Sequence, residues 1–423
     1  MFERVVVVGA GLAGLAAVHA AVPRGAQLRL FDGSLGASAL AGGAVDDLPW
    51  EQVERACELL GASPVARALE PEVEAFVQAL GLWELGRTGE PLCRLATEAG
   101  RIRLARGRDR ALLDLTTLPR GARVVLPRAA RPEWDANALG RALTEESYAR
   151  ERELRFDAVE ATLLRFVGED RVASVELAAR HDEPARLGWL AERLREALVL
   201  ERKDGRRVDG ILLGAWLGAD APRAAALAEL VGVPVGEILA GVGSAPGCRF
   251  EAARDRMLGG LGVQREQRRV LGVEVVEAEL RVQTDAEATA VACDRVVLAT
   301  GGLAAGGIRY VPPELDAGPD ELPAARIPFE LSLDAPVALA ALGRRLEIVS
   351  SVHGPALDGT AWPTDADPGL LESVGVACHG PIAANRIYAA GDVVADRPRT
   401  RLEAVRSGLR AGAAAAGEPG AIG

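Results

Sequence analysis

Val5-Val6-Val7-Val8-Gly9-Ala10-Gly11-Leu12-Ala13-Gly14 decides the fold, together with Asp32, which ends the next apolar run eighteen residues beyond Gly14. Four valines in a row read as a strand buried on both faces, and Leu12 to Val22 reads as a helix closed by Pro23-Arg24-Gly25. Between them Gly9 permits the tight turn off the strand, Gly11 lets the backbone approach a pyrophosphate, and Gly14 lets the helix pack on the sheet. The start of that helix offers N–H groups and the favourable end of its dipole to an anion. Asp32, at the tip of the second strand, is placed to accept hydrogen bonds from ribose hydroxyls. Strand, glycine turn, helix and acid at this spacing form a dinucleotide-binding opening.

Working outward, the chain of 423 residues is long enough for two lobes and is 49% hydrophobic, which excludes global disorder. A net charge of −11 and a pI near 5.2 argue against a nucleic-acid surface. No apolar run reaches the roughly 18 residues of a membrane span, so direct membrane insertion is not expected. Met1-Phe2-Glu3-Arg4 leads straight into the first strand, and the expected location is the cytoplasm, with membrane association only through a partner. Cys57, Cys93, Cys248, Cys293 and Cys378 are scattered with no CxxC pair, so neither a zinc site nor an iron–sulfur cluster is expected within the chain. Lys203 lies in a charged run read as a solvated loop, which gives Schiff-base chemistry no good candidate.

Gly33 to Pro49 is rich in small residues, and Gly33, Ser34, Ser38, Gly42 and Gly43 would let backbone amides reach a flat ligand edge. Helical periodicity follows at Glu51 to Leu60 and Pro64 to Leu80, short strands from Leu92 to Leu126, and a helix from Trp134 to Tyr148. Leu154 to Val175 reads as sheet, Ala185 to Leu200 as helix, Val208 to Gly214 as a buried strand, and Arg249 to Leu261 as helix. A hairpin from Val270 to Val282 then delivers Val296-Val297-Leu298-Ala299-Thr300-Gly301-Gly302, a second apolar strand ending in a small-residue turn. Near the end, Arg386-Ile387-Tyr388-Ala389-Ala390-Gly391-Asp392 supplies a strand, a glycine for close approach and a carboxylate able to accept hydrogen bonds from a polyol. Thr400 opens the last helix as an N-cap, with Glu403 placed to complete a capping box.

GAGLAG, VVLATGG and YAAGD in this order resemble the FAD-dependent oxidoreductases of the glutathione-reductase and fumarate-reductase superfamily. The resemblance implies an α/β fold, with a Rossmann-like FAD-binding domain at residues 1–125 and 262–423 and an inserted α+β domain at 126–261. It implies noncovalent FAD, with FMN as the alternative. Gly9, Ala10, Gly11, Leu12, Ala13 and Gly14 would face the pyrophosphate, Asp32 the adenosine ribose, and Val270 the adenine. Thr300 and Gly301 would hold the nucleotide half, and Gly391 and Asp392 the ribityl chain or pyrophosphate. The last helix, at Thr400, Arg401 and Leu402, would point at the pyrimidine edge of the ring, where its dipole favours the charge of reduced flavin.

Within that superfamily the chain resembles the B subunit of anaerobic glycerol-3-phosphate dehydrogenase over nearly its whole length. Ala41 to Leu48 carries the match, with Leu126-Pro127, Ile211 to Gly214, the helix after Pro246, and Ala299 to Ile308. Ala395-Asp396-Arg397-Pro398-Arg399 stands where that family has a Gly-rich loop. The resemblance implies a flavin-bearing subunit that relays electrons between a catalytic flavoprotein subunit and an iron–sulfur subunit. Two alternatives stay open: a self-sufficient flavoenzyme acting on a small carboxylic or amino acid, and a flavin-free structural subunit. For a self-sufficient enzyme the candidate acid/base and binding groups are His353, His379 or an arginine near Arg397 to Arg401, Arg401 first among them. His19 reads as packing or surface and His181 as solvated.

Overall fold

The computed structural model describes residues 3–33, 36–40, 42–46, 70–86, 92–276, 279–285, 290–302, 305–307, 330–331, 352–353, 375–395 and 397–417. The chain forms two compact units, one of Met1–Ala37, Trp50–Phe76 and Met257–Gly423, the other of Ser38–Pro49 and Val77–Arg256. The helix expected at Glu51 to Leu60 lies outside the described residues. Of the helix expected from Pro64, the described part runs Pro71–Leu80.

The first unit is built on a six-stranded sheet in the order Arg265–Glu266, Gln27–Phe31, Arg4–Val8, Arg295–Leu298, Ile387–Ala389, Ile382–Ala384. All neighbours are parallel except the last pair. Because the valines of the first strand alternate, Val6 and Val8 join an apolar cluster with Phe31, Val296 and Leu298 on one face. That face is covered by an antiparallel meander of Val270–Val276, Glu279–Thr284 and Val291–Cys293, which contributes Val273, Leu280 and Val282. The helices Leu12–Ala21 and Arg401–Ala415 lie beside the central strands. Burial on both faces is why Val5 to Val8 read as a continuous apolar run. The expected first helix stops one residue early, at Ala21, and passes through the turn Val22–Arg24 into Gly25 at φ +84°. This is a Rossmann-type arrangement in which a β-meander, not helices, covers one face of the parallel sheet.

The second unit holds a fully parallel sheet in the order Val235–Glu237, Gly210–Leu213, Arg123–Pro127, Arg155–Val159. Two small antiparallel ladders accompany it, one of Ala44–Val45, Gly107–Asp109 and Trp83–Leu85, the other of Cys93–Ala96 and Ile102–Ala105. Helices Ala136–Glu145, Ser174–Arg180, Pro184–Lys203 and Ala224–Val231 contribute to one core with the sheet, which includes Trp134 and Trp216 in an edge-to-face pair.

Two expectations are corrected here. Only Arg155–Val159 of the segment read as sheet is a strand, and residues from Ser174 to Arg180 are helical. Between them the fully buried Glu169 carboxylate accepts the backbone N–H groups of Arg165 and Phe166 and pairs with Arg180 and Arg186. A buried carboxylate collecting these N–H groups holds residues 165–169 in a turn where a strand was expected. Lys203, expected in a loop, is the exposed last residue of its helix.

His181, read as solvated, is 2% exposed, with Nδ1 2.7 Å from the Trp216 carbonyl oxygen. A carbonyl only accepts, so Nδ1 carries the proton. Burial pushes the imidazole down to about 4 from the ordinary 6.5. Above the unfolded value His181 is neutral in both states. As pH falls from 6.5 toward 4 the unfolded chain takes up a proton that the folded chain refuses, so stability drops across that window, by about 3 kcal/mol at the limit. His181→Asn keeps a donor for the Trp216 carbonyl and removes the titration. Urea unfolding of this variant should show a smaller loss between about pH 7 and about pH 4.5 than the parent. An unchanged loss would place the acid sensitivity elsewhere.

Candidate functional site

In the first unit the glycine turns leave adjacent parallel strands at their carboxyl ends, where an open α/β sheet binds ligands. The Gly9 N–H donates to Phe31 O at 2.7 Å, Ala299 N–H to Val8 O at 2.8 Å, and Ala390 N–H to Leu298 O at 2.9 Å, which steps the turns across the edge. Gly9 sits at φ +105°, and a Cβ there would lie 2.2 Å from the Ala299 oxygen. A Cβ on Gly14 would lie 1.8 Å from the Gly9 oxygen, so the helix closes directly onto the turn. Gly11 is extended and caps the helix without a side chain. Ala10, Leu12 and Ala13 are buried around it.

The three motif turns touch. Gly302 is packed so that a Cβ would meet the Asp392 Cβ at 2.8 Å, and a Cβ on Gly391, at φ +76°, would meet the Ala13 methyl at 2.7 Å. Gly301, at φ +79°, faces Ala305, and Gly307 folds back on the Thr300 and Gly301 carbonyls, which accounts for the second Gly-Gly pair. Ser407, not singled out from the sequence, and Arg399, from the segment that departs from the family's Gly-rich loop, hold the last turn. The Ser407 hydroxyl accepts the Gly391 N–H at 3.0 Å, and Arg399 Nε donates to the Asp392 carbonyl at 3.2 Å.

The helix Arg401–Ala415 begins as expected, with Thr400 Oγ1 accepting the Glu403 N–H at 3.2 Å. The capping box is only half realised. The buried Glu403 carboxylate turns to Arg397 and Arg406, each at 3.5 Å, and burial pushes its carboxyl above the usual range. Leu402 is buried and Arg401 half-buried.

This helix lies against Leu12–Ala21 through Gly408 and Gly412. A Cβ on Gly408 would meet the Ala13 oxygen at 2.3 Å, and one on Gly412 the Ala17 oxygen at 2.1 Å. The pairing 13 with 408 and 17 with 412 makes the helices parallel, with both N-termini at the carboxyl edge of the sheet. In that register Arg401 starts six residues ahead of Leu12, so the second N-terminus stands about 9 Å farther out at 1.5 Å per residue. The signal was present in Gly408-Leu409-Arg410-Ala411-Gly412, small residues one helical turn apart.

At the other end of the edge, Asp32 follows Phe31, and a Cβ on Gly33 would lie 2.7 Å from Arg269 Cα. Asp32 forms an ion pair with Arg265, another residue the sequence reading missed. Val270 is buried in the cluster with Val8 and Phe31. Of the histidines, His379 is exposed on the turn whose backbone pairs with Ile382, and His353 lies in the strand Val352–His353 opposite Glu330–Leu331. His19 is edge-on to Phe76, and burial lowers its pKa.

Ser38, Gly42 and Gly43 belong to the second unit. A Cβ on Gly42 would meet the Ala240 oxygen at 2.0 Å, and the carbonyl of Gly43, at φ +103°, accepts the Asp109 N–H at 2.7 Å. Asp109 is held in turn by Arg249, which also binds Glu237 at 2.6 Å and the Gly218 carbonyl at 2.6 Å, all of it buried. Burial raises the Glu237 carboxyl. Isolated charged residues far apart in sequence gave no sign of this cluster.

No protein-family model matches the chain, and no curated protein matches it. Among solved structures it is similar to a putrescine oxidase variant with redesigned cofactor binding, at 15% identity over 98% of this chain and 98% of that one, TM-score 0.32. It is similar to CabE, an aromatic hydroxylase from angucycline biosynthesis, at 12% identity over 100% of this chain and 64% of that one, TM-score 0.34. A third is 3-ketosteroid Δ1-dehydrogenase from Sterolibacterium denitrificans, at 15% identity over 71% of this chain, TM-score 0.27, of which this chain spans 48%. Likeness of this degree adds no weight, and the fold rests on the sheet order and turn geometry above.

The helix contact gives an opposite-sign test. Gly188, inside Pro184–Lys203, has nothing within 4 Å of an added Cβ, whereas Gly408 has the Ala13 oxygen at 2.3 Å. Gly188→Ala should stabilise by up to about 1 kcal/mol, and Gly408→Ala should destabilise by about 1–3 kcal/mol, read by urea unfolding. Equal stabilisation by both would contradict the close contact.

Proposed function

We propose that the first unit holds FAD noncovalently along the carboxyl edge of its sheet and that the protein is a flavin-dependent oxidoreductase. The observation that carries this reading is the pair of parallel helix N-termini staggered by about 9 Å. One stands at Gly11, where a pyrophosphate would meet a turn closed so tightly that a Cβ at Gly9 or Gly14 would strike a backbone oxygen. The other stands at Thr400, a ribityl-sized linker away, and suits the pyrimidine edge of an isoalloxazine. Asp32 would take the adenosine ribose, Gly391 and Asp392 the linker, and Thr300 and Gly301 the neighbouring edge. FMN lacks the adenosine half and would leave Asp32 without a ligand. Bound there, the flavin would accept electrons in pairs and release them singly. The chain's own part is to seat the phosphates, orient the ring and place a helix dipole where charge gathers.

The finer reading rests on the resemblance to the B subunit of anaerobic glycerol-3-phosphate dehydrogenase. We infer a subunit that relays electrons from sn-glycerol 3-phosphate oxidation, taking them from a catalytic flavoprotein subunit and passing them to an iron–sulfur subunit and on toward quinone. It would work in the cytoplasm and reach a membrane only through those partners. No helix among the described residues is long and apolar enough to cross one. The test is glycerol 3-phosphate oxidation with an artificial electron acceptor, by the purified chain and by its affinity-purified complex. The relay predicts turnover by the complex and none by the chain alone. Turnover by the chain alone would favour a self-sufficient flavoenzyme.

A further inference from the structure

The acid at the tip of the second strand is not alone. The Asp32 N–H donates to the Glu266 carbonyl at 2.9 Å, which joins it to the edge strand Arg265–Glu266. From that strand Arg265 Nη1 reaches Asp32 Oδ2 at 2.8 Å, with the two side chains 23% and 11% exposed. The neighbouring acid, Glu266, is matched to a different base. Arg29 holds it in a fork, Nε to Oε1 and Nη2 to Oε2, both at 2.7 Å. Asp32 and Arg265 are therefore paired at one end of the candidate site, and the close packing of Gly33 on Arg269 keeps the chain from carrying Asp32 away.

The two members of this pair prefer opposite ligands. A carboxylate accepts hydrogen bonds from the 2′ and 3′ hydroxyls of a ribose and repels a phosphate on the 2′ oxygen, whereas a guanidinium attracts that phosphate. Locked together, they do only one of these things. With Oδ2 on the guanidinium, Asp32 is oriented and keeps Oδ1 for a hydroxyl, while its charge offsets that of Arg265. We propose that Arg265 is a positioning and specificity-setting residue: it aims Asp32 at the ribose, and Asp32 in turn keeps its guanidinium from recruiting a 2′-phosphate. The site then takes adenosine dinucleotides with an unmodified ribose and refuses their 2′-phosphorylated counterparts. This rests on the reading of the first unit as an adenine-dinucleotide site.

The test is calorimetric titration of the full-length, flavin-depleted protein with ADP and with ADP phosphorylated at the 2′ oxygen. The parent should bind ADP at least about tenfold more tightly than the 2′-phosphate form. Arg265→Gln should weaken ADP about tenfold, and Arg265→Lys, which keeps the charge without the planar guanidinium, should recover part of that loss. Asp32→Asn, which removes this carboxylate's charge from beside the guanidinium, should shift the preference toward the 2′-phosphate. Asp32→Asn with Arg265→Gln should bind both weakly and without preference. Both side chains lie at the sheet edge and are partly exposed, so the variants should fold, which circular dichroism checks. ADP binding unchanged in Arg265→Gln, or an undiminished ADP preference in Asp32→Asn, overturns the proposal while leaving dinucleotide binding intact. A parent protein that binds neither nucleotide overturns the dinucleotide reading and this proposal with it.

Discussion

The first unit depends on the bare backbone contact between two parallel helices. Gly408 and Gly412 press against the Ala13 and Ala17 carbonyls, closer than any side chain would allow. Everything at the carboxyl edge of the sheet follows from that spacing. It sets both helix N-termini at the same edge, fixes their stagger, and brings Gly391 against Ala13 so that the last glycine turn lies beside the first. Small residues are required on both sides, which is why Leu12–Ala21 is mostly Ala and Gly although it is almost wholly buried.

Electrostatics act on that frame. Neither helix start carries a carboxylate before its first residue, since Gly11 and Thr400 are the caps. The only acid in either first turn, Glu403, is buried and matched by Arg397 and Arg406. Two positive helix ends therefore stand along one edge, and negative charge on a ligand is favoured at both. Ser407 accepts the Gly391 N–H and Arg399 donates to the Asp392 carbonyl, so the turn is held by the last helix and by the segment leading into it.

Much of this frame was legible in the sequence because its signals are local. The valine run, the glycine turns, Asp32 and the Thr400 cap each declare themselves within a few residues, and the strands at Val296 and Ile387 fall where a parallel sheet needs them. The errors lie where distant charges decide the structure. Residues 160–173 curl around Glu169 because Arg180 and Arg186 arrive from later helices, and no periodicity in the segment records that. His181 sits in a charged run and is buried because the Trp216 carbonyl needs a donor. Arg265 and Asp32 are 233 residues apart, as remote as Arg249 from Asp109 in kind if not in degree. A single sequence shows which residues carry charge but not which charges meet.

The central claim is that the edge framed by Gly11 and Thr400 holds a flavin dinucleotide. The most direct measurement is the visible absorption spectrum of the purified protein, followed by mild denaturation and chromatographic identification of what is released. The account predicts the two-banded spectrum of oxidised flavin and free FAD in near-equimolar amount. A colourless protein that stays colourless after incubation with FAD would contradict it and leave the glycine cradle as a structural turn.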